Sequence, residues 1–384
     1  MNSPRPIDAK RVLVVRTDRI GDMILSTPLL GMIKSASPDC EVTVAVPSYV
    51  APVLDANEDV DAVLIWESEE ASVSALRSRA FDAAILLNPG LEAGMRILRA
   101  GIPYRTGPLA RTSSFFFLNR GVRQARSRGA RHQAEWDADF ATLVTGGRAD
   151  ASGEAGGSGA AGDIPPPKVR ISDEERERGL AIVREAFDGE RPAKLLGLHP
   201  GSGGSVLAWG DDRFLETARL FRNAGYAVAI TGSESEREAA ERMARELVQD
   251  AEAPAAVSLA GAHDFRTFLS ILAQFDHFLA PSTGPLHAAA ALGVPVSAPY
   301  PPLPSQRAGR WGPRPLPGIG AAAPEPDVAC PARIRCLEDR CPHHPCMSLL
   351  TPEQLFREVI ALHDSRAAEA DGRDAGATGA GGAR

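Results

Sequence analysis

The sequence predicts an α/β protein made of two doubly wound parallel-sheet domains facing a central cleft, and three observations carry that prediction. Short apolar strands alternate with amphipathic helical stretches from residue 12 to about 145. A Gly, Ala and Ser-rich run at 146–162, closed by Pro165–Pro167, then interrupts the pattern, because it has nothing with which to bury a core. A second alternating series follows and runs to residue 297.

In the first series the strands are expected at Val12–Val15, Val42–Val46, Ala62–Trp66 and Ala83–Leu87. Helical stretches lie at Leu29–Ser35, Ser72–Arg79, Leu91–Arg99 and Gln133–Val144. In the second, Ser172 caps a helix at Asp173–Phe187, followed by a strand at Leu195–His199 and a helix at Asp212–Asn223. The strand Ala227–Thr231, the helices Ser235–Val248 and Phe265–Gln274, the strand His277–Ala280, the helix Pro285–Leu292 and a last strand Val294–Ser297 complete it. Thr351-Pro-Glu-Gln354 is a capping-box start for a final helix, Pro352–His363, expected to cross back onto the first domain. The resulting division is 1–147 for the first domain, 148–167 for a flexible linker, 168–350 for the second domain, 351–365 for the last helix and 366–384 for a disordered tail of Ala, Gly and charge.

Composition excludes some functions. The 384 residues carry a formal charge of −7, which argues against nucleic acid as a partner. The first apolar run, Val12–Val15, is too short for a signal-peptide core, and no run of about 18 apolar residues occurs, so a cytoplasmic protein without a spanning helix is expected. Four of the five cysteines, Cys330, Cys336, Cys341 and Cys346, fall within seventeen residues. Their gaps lack the paired two-residue spacing of zinc sites, although His343 and His344 lie among them and keep a metal site open.

Chemistry concentrates in the turns after strands. Asp22 follows Gly21 directly after the first strand, where a carboxylate is either a helix-terminal group favoured by the helix dipole or a general base for an acceptor hydroxyl. In the second domain, His199-Pro-Gly-Ser-Gly-Gly204 offers small residues whose amides can approach an anion, with hydroxyls from Ser202 and Ser205. It is neither a P-loop nor a dinucleotide fingerprint. Pro281-Ser-Thr-Gly-Pro-Leu-His287 joins a strand end to an alanine-rich helix start and would hold a phosphate on its free amides, or be simply a well-capped helix with a structural His287. Asp137-Ala-Asp139 has the spacing of a metal-binding pair but falls in a helix, and reads as a solvated face. Between Ala93 and Ala134 there are nine arginines and no acid, a stretch suited to an anionic acceptor or an anionic membrane surface, or else a surface loop around a buried Phe117 strand.

Together, Arg16-Thr-Asp-Arg-Ile-Gly-Asp22, His199-Pro-Gly-Ser202 with Trp209, Thr231-Gly-Ser-Glu-Ser-Glu236, Leu259-Ala-Gly261, Ser282-Thr-Gly-Pro-Leu-His287 and Arg310-Trp-Gly-Pro313 resemble glycosyltransferase family 9, typified by ADP-heptose:lipopolysaccharide heptosyltransferases. The resemblance covers roughly residues 11–363 apart from the linker. It implies a GT-B fold of two Rossmann-like domains, with acceptor on the first and nucleotide-diphospho-sugar on the second. It further implies inverting transfer of a sugar, heptose from ADP-heptose, to a lipopolysaccharide-core or related glycolipid at the inner face of the cytoplasmic membrane, with no obligatory metal or other cofactor.

By that resemblance Asp22 is the catalytic base. Thr17, Gly21, Ser202, Gly203, Glu236, Leu259, Gly261, Ser282, Thr283, Gly284 and His287 bind the donor, Glu236 at the ribose and Thr283 and Gly284 near the diphosphate. Arg19, Arg96, Arg120 and Arg123 are the candidate acceptor contacts. Two positions depart from the family pattern: Leu207 stands where a lysine usually meets the diphosphate, and Ser282 where an aspartate is common. Arg19, Arg213 and Arg310 are the candidates to replace the lost cation. The other readings are a nucleotide-sugar epimerase or hydrolase of the same fold, and a non-catalytic nucleotide-sugar-binding protein.

Overall fold

The computed structural model describes residues 5–110, 112–147, 164–204, 206–248, 254–332 and 334–363. Most of the expected linker, the expected tail and Ser205 lie outside the described residues. The chain divides into two units, one comprising 1–171 with 309–311, the other 172–308 with 312–384.

The first unit holds the strands β1 (Arg11–Val15), β2 (Glu41–Val46), β3 (Ala62–Ile65), β4 (Ala83–Leu86), β5 (Tyr104–Pro108) and β6 (Arg120–Val122), in the spatial order β3-β2-β1-β4-β5-β6. Every pairing is parallel. β1 lies at the centre with four of its five residues buried, as a strand covered on both faces requires. Its helices are α1 (Ile20–Ala36), α2 (Val73–Ser78), α3 (Leu91–Ala100), α4 (Ser114–Phe117) and α5 (Gln133–Val144). α1 starts nine residues before the expected Leu29, because Gly21 and Pro28 mask its apolar period in the sequence. Pro28 has no N–H to give Ile24, and the Thr27 hydroxyl donates to the Ile24 carbonyl at 2.7 Å instead. Phe117 ends the short helix α4 rather than sitting in a strand, and its ring fills the space that Gly94 leaves on α3.

Residues 164–171, which the sequence reading divides between linker and second domain, group with the first unit. Lys168 explains it: its ammonium pairs with Asp59 at 2.5 Å and Glu58 at 3.1 Å, and its amide donates to Thr27 Oγ1 at 2.8 Å.

The second unit has α6 (Asp173–Ala186), β7 (Leu195–Leu198), α7 (Asp211–Asn223), β8 (Ala227–Ile230), α8 (Arg237–Leu247), β9 (Ala256–Ser258), α9 (Phe265–Leu272), β10 (His277–Leu279), α10 (Gly284–Ala291), β11 (Val296–Ser297), α11 (Ala308–Trp311), of which only the first residue groups here, β12 (Ala321–Ala322) and α12 (352–363). Its parallel sheet runs β12-β11-β10-β7-β8-β9. α6 and α9 approach closely because Gly179 lies over the Ser270 carbonyl. The expected cap at Ser172 forms, as a capping box with Glu175, and so does the expected capping box at Thr351 with Gln354. α12, expected to cross back to the first domain, groups with the second unit and buries Leu355 and Val359 in that unit's core, with Phe356 edge-on to Phe221.

Both sheets reverse strand order at their first strand, between β2 and β4 at β1 and between β8 and β10 at β7. In open parallel sheets, ligands bind beyond the strand ends at such points. The segments there are those that begin at Arg16, His199 and Pro281.

Candidate functional site

In the first unit, β1 runs out at Val15 and α1 starts at Ile20, so Asp22 lies in the first turn of α1, where the helix dipole favours a carboxylate. The side chain is not isolated there. Arg16, only 2% exposed, spans three aspartates: its Nε pairs with Asp18 Oδ1 at 2.7 Å, one terminal nitrogen with Asp22 Oδ1 at 2.7 Å and the other with Asp137 Oδ2 at 3.1 Å. Burial alone would pull the Arg16 pKa down, but Asp18, Asp137 and Asp22 together hold it above its ordinary value. Asp18 is pushed up to about 6, by burial first and by the nearby Asp22 and Asp137 charges, against the pull of Arg16.

Asp137 is a correction to the sequence reading. Placed there on a solvated face, it is fully buried in α5. Besides Arg16 it accepts from Arg126 at 2.9 Å and Gln133 Nε2 at 3.0 Å through Oδ1, and from Ser26 Oγ at 2.8 Å through Oδ2. Asp139 is also occupied, by Arg131 at 2.9 and 3.0 Å and Gln124 at 3.0 Å. The pair therefore serves arginines rather than a metal. Arg310, in the 309–311 segment that groups with this unit, stacks on Trp311 and lies within electrostatic reach of Arg126, Asp22 and Asp137. Its pKa is lowered by burial first and then by Arg126. Three arginines thus face three aspartates.

The candidate acceptor arginines divide. Arg96 is committed to structure, donating to the Trp66 carbonyl at 2.7 Å, pairing with Glu92 at 2.5 Å and lying 4.2 Å over the Trp66 ring. Arg19, Arg120 and Arg123 are exposed, with Arg120 donating to the Asn119 carbonyl and Arg123 near Phe115, half exposed beside the 78% exposed Phe116. Thr17 is half-buried between β1 and α1, and Gly21 is buried one residue before Asp22.

In the second unit, a pocket of about 220 Å³ opens where β7, β8 and β10 end, lined among others by Gly201, Ser202, Trp209, Thr231, Glu236 and Pro281. Gly203 and Gly204 turn the loop through φ of +51° and +70°, values that side chains other than glycine rarely take. Glu236 is fixed by the Ser233 amide at 2.8 Å and hydroxyl at 2.7 Å. Burial raises its pKa, but those hydrogen bonds and His199 hold it below the usual carboxylate range. His199 is buried with Nδ1 3.0 Å from Thr231 Oγ1, and burial pushes it down to about 4 against the pull of Glu236.

The structure thus gathers Ser202 and Glu236 around one pocket whose wall includes Pro281 at the end of β10. Ser282, Thr283 and Gly284 follow directly, with the Thr283 hydroxyl donating to the Pro281 carbonyl at 3.1 Å and Ser282 bonded to the buried Tyr300. His287 is buried within α10. Leu259 and Gly261 extend the β8 side, their amides donating to the carbonyls of Ile230 at 2.8 Å and Gly232 at 2.9 Å, and the Gly261 carbonyl accepts from Arg237 at 2.8 Å.

Leu207 belongs elsewhere. It lines a separate apolar pocket with Cys330, Cys336, Cys341, Cys346 and Leu303, while its amide donates to Gln306 at 3.1 Å. The four thiols are free, and Cys346 is pushed up by burial and by the other three. Among the described residues, no group of three or more His, Cys, Asp or Glu is arranged to hold a metal ion.

A match to glycosyltransferase family 9 (heptosyltransferase) spans residues 71–316. The chain belongs to that family. Lipopolysaccharide heptosyltransferase 2 of Salmonella typhimurium is 26% identical over 305 residues, covering 76% of this chain and 83% of the relative. The solved structure of E. coli ADP-heptose lps heptosyltransferase II superposes with a TM-score of 0.69 at 21% identity, covering 92% of this chain and 98% of that one. E. coli heptosyltransferase WaaC with ADP-2-deoxy-2-fluoro heptose gives 0.59 at 17% identity, covering 91% and 99%. The family 9 chain is therefore a glycosyltransferase of GT-B fold.

Arg16, Ser26, Arg126 and Asp137 are the site residues that motif reasoning missed. Arg16 stands inside the quoted Arg16–Asp22 motif and could have been read there. Asp137 lies 121 residues from its arginine, and only the packing of α1 on α5 brings the two together.

Proposed function

We propose that this family 9 enzyme transfers heptose, with inversion, from ADP-heptose to a lipopolysaccharide-core or related glycolipid acceptor at the inner face of the cytoplasmic membrane. Asp22 takes the acceptor proton as the acceptor oxygen bonds to the anomeric carbon and the bond from that carbon to the diphosphate breaks. The observation that carries this reading is the state of the Asp22 carboxylate: Arg16 holds Oδ1, while Oδ2 has no hydrogen bond among the described residues. One oxygen is anchored and the other is available to a hydroxyl.

The donor's nucleotide belongs in the second-unit pocket, with the ribose at Glu236 and the diphosphate at the amides around Ser202, Gly203, Thr283 and Gly284. Relatives named as lipopolysaccharide heptosyltransferases, and a family structure holding an ADP-heptose analogue, support the choice of sugar and nucleotide. With leucine at 207, Arg213 is the candidate cation in the second unit, its guanidinium donating at 3.1 Å to the carbonyl of Trp209, a residue that lines this pocket.

Asp22→Asn tests the assignment. ADP-heptose binding by calorimetry should stay within about threefold, and transfer to a lipopolysaccharide-core acceptor should fall by roughly 10²–10⁴-fold, the usual worth of a general base. Turnover near the parent rate would refute the base. Thermal shifts with ADP-, GDP-, UDP- and dTDP-sugars check the donor, since a bound nucleotide stabilises by mass action.

A further inference from the structure

The buried ion cluster around Arg16 asks for an explanation that stability does not supply. Removing charges from water costs several kcal/mol each, and such groups are often no more stable than apolar replacements. Around Asp137, every element packed nearby contributes a partner: Arg16 after β1, Ser26 on α1, Gln133 on α5 itself, Arg126 just before α5, and the charge of Arg310. Asp18 and Asp22 share the Arg16 guanidinium with it. Its two terminal nitrogens are hydrogen-bonded, to Asp137 and to Asp22, while Nε lies at ion-pair distance from Asp18 without a hydrogen bond, so the two terminal bonds set its orientation.

We propose that Asp137 is a positioning residue for sugar transfer: it clamps Arg16 so that the guanidinium meets Asp22 at Oδ1 alone and leaves Oδ2 for the acceptor hydroxyl. Asp137 touches no reacting atom. A guanidinium released from it would be free to turn and take both Asp22 oxygens in a bidentate pair, the geometry that arginine and carboxylate prefer. Ser26 lies at the same junction, its one hydroxyl proton serving either Asp137 Oδ2 or the Asp22 carbonyl, each 2.8 Å away. The inference rests on Asp22 being the base.

Asp137→Asn keeps the shape and removes one negative charge. The expected result is a fall in kcat of about 10–100-fold with the KM for ADP-heptose within about twofold, because an interaction needed only for the chemical step is lost. In an Asp22→Asn background the same change should have no further effect, since the two act as one unit. Arg16→Lys, which keeps the charge balance but cannot span three carboxylates, should show the same kcat loss and covers the case in which Asp137→Asn does not fold.

A folded Asp137→Asn or Arg16→Lys protein with parental kcat would overturn the proposal. If Asp22→Asn itself turns over normally, it is the base assignment that fails. If Asp22→Asn is inactive while Asp137→Asn is normal, only the clamp fails.

Discussion

Gly201→Ala separates donor recognition from folding in the second unit. A methyl built on Gly201 overlaps Glu236 Oε1 and comes within 2.6 Å of its Cδ, where carbon atoms normally rest about 3.5–4.0 Å apart. The backbone of residue 201 does not need glycine, as it is absent from the positive-φ glycines. The strain therefore falls on the far end of a flexible side chain, which must retreat by about 1 Å. Its bonds to the Ser233 amide and hydroxyl, now 2.8 and 2.7 Å, would then exceed hydrogen-bonding distance. Losing that exposed capping box should cost roughly 0.5–1.5 kcal/mol of stability.

Donor affinity should suffer more. A hydrogen bond to a charged group is worth about 1.5–3 kcal/mol, so displacing Glu236 from the ribose should weaken ADP binding by about 10–100-fold in calorimetry. Gly179→Ala is the control, since its methyl meets the Ser270 backbone, which cannot swing away. That variant should lose stability in denaturant titrations and keep its ADP affinity if it folds. A folded Gly201→Ala protein that binds ADP within twofold of the parent would refute the placement of Glu236 at the nucleotide.

Two further outcomes follow from the same unit. His199 is held down to about 4 by burial, against an ordinary value near 6.5, so between those values the unfolded chain binds the extra proton. Stability should therefore fall by up to about 3 kcal/mol as pH drops from 6.5 to 4, and urea titrations of His199→Asn at pH 7 and 4.5 should show that much less acid loss; equal losses would argue against it. Leu207→Lys should not restore a phosphate-binding cation, because position 207 faces the apolar cysteine pocket. It should cost about 1–3 kcal/mol and leave ADP affinity unchanged, whereas a tenfold gain in affinity would place the side chain at the donor.

The sheets and the loops that leave their central strands were legible in the sequence. Strands buried on both faces must be continuously apolar, so β1, β2, β4, β7, β8 and β10 stand out, and the small residues within 199–204 and 281–284 mark the loops that follow β7 and β10 to the second-unit pocket. The strands that escaped notice have no such constraint. β6 and β9 are three residues long at sheet edges, β12 is a two-residue Ala pair, and β5 carries Arg105, Gly107 and Pro108. α1 escaped in part because Thr27 supplies in side-chain form the donor that Pro28 lacks, a substitution that propensity does not register.

The cluster around Arg16 was illegible for a deeper reason. Asp137 and Asp139 are two positions apart on α5, about 200° around the helix, and one is fully buried while the other is about one-third exposed. The helical period sends them to opposite faces but does not say which face is covered: α5 packs on α1, which puts Asp137 opposite an arginine 121 positions earlier, a distance that no local period encodes. A charge buried against its own desolvation cost cannot be inferred from propensity, because propensity assigns charges to water. It is understandable only from what it holds in place. The chain orders Arg16 with three carboxylates, and one of them, Asp22, is the proposed base and keeps one oxygen without a hydrogen bond among the described residues.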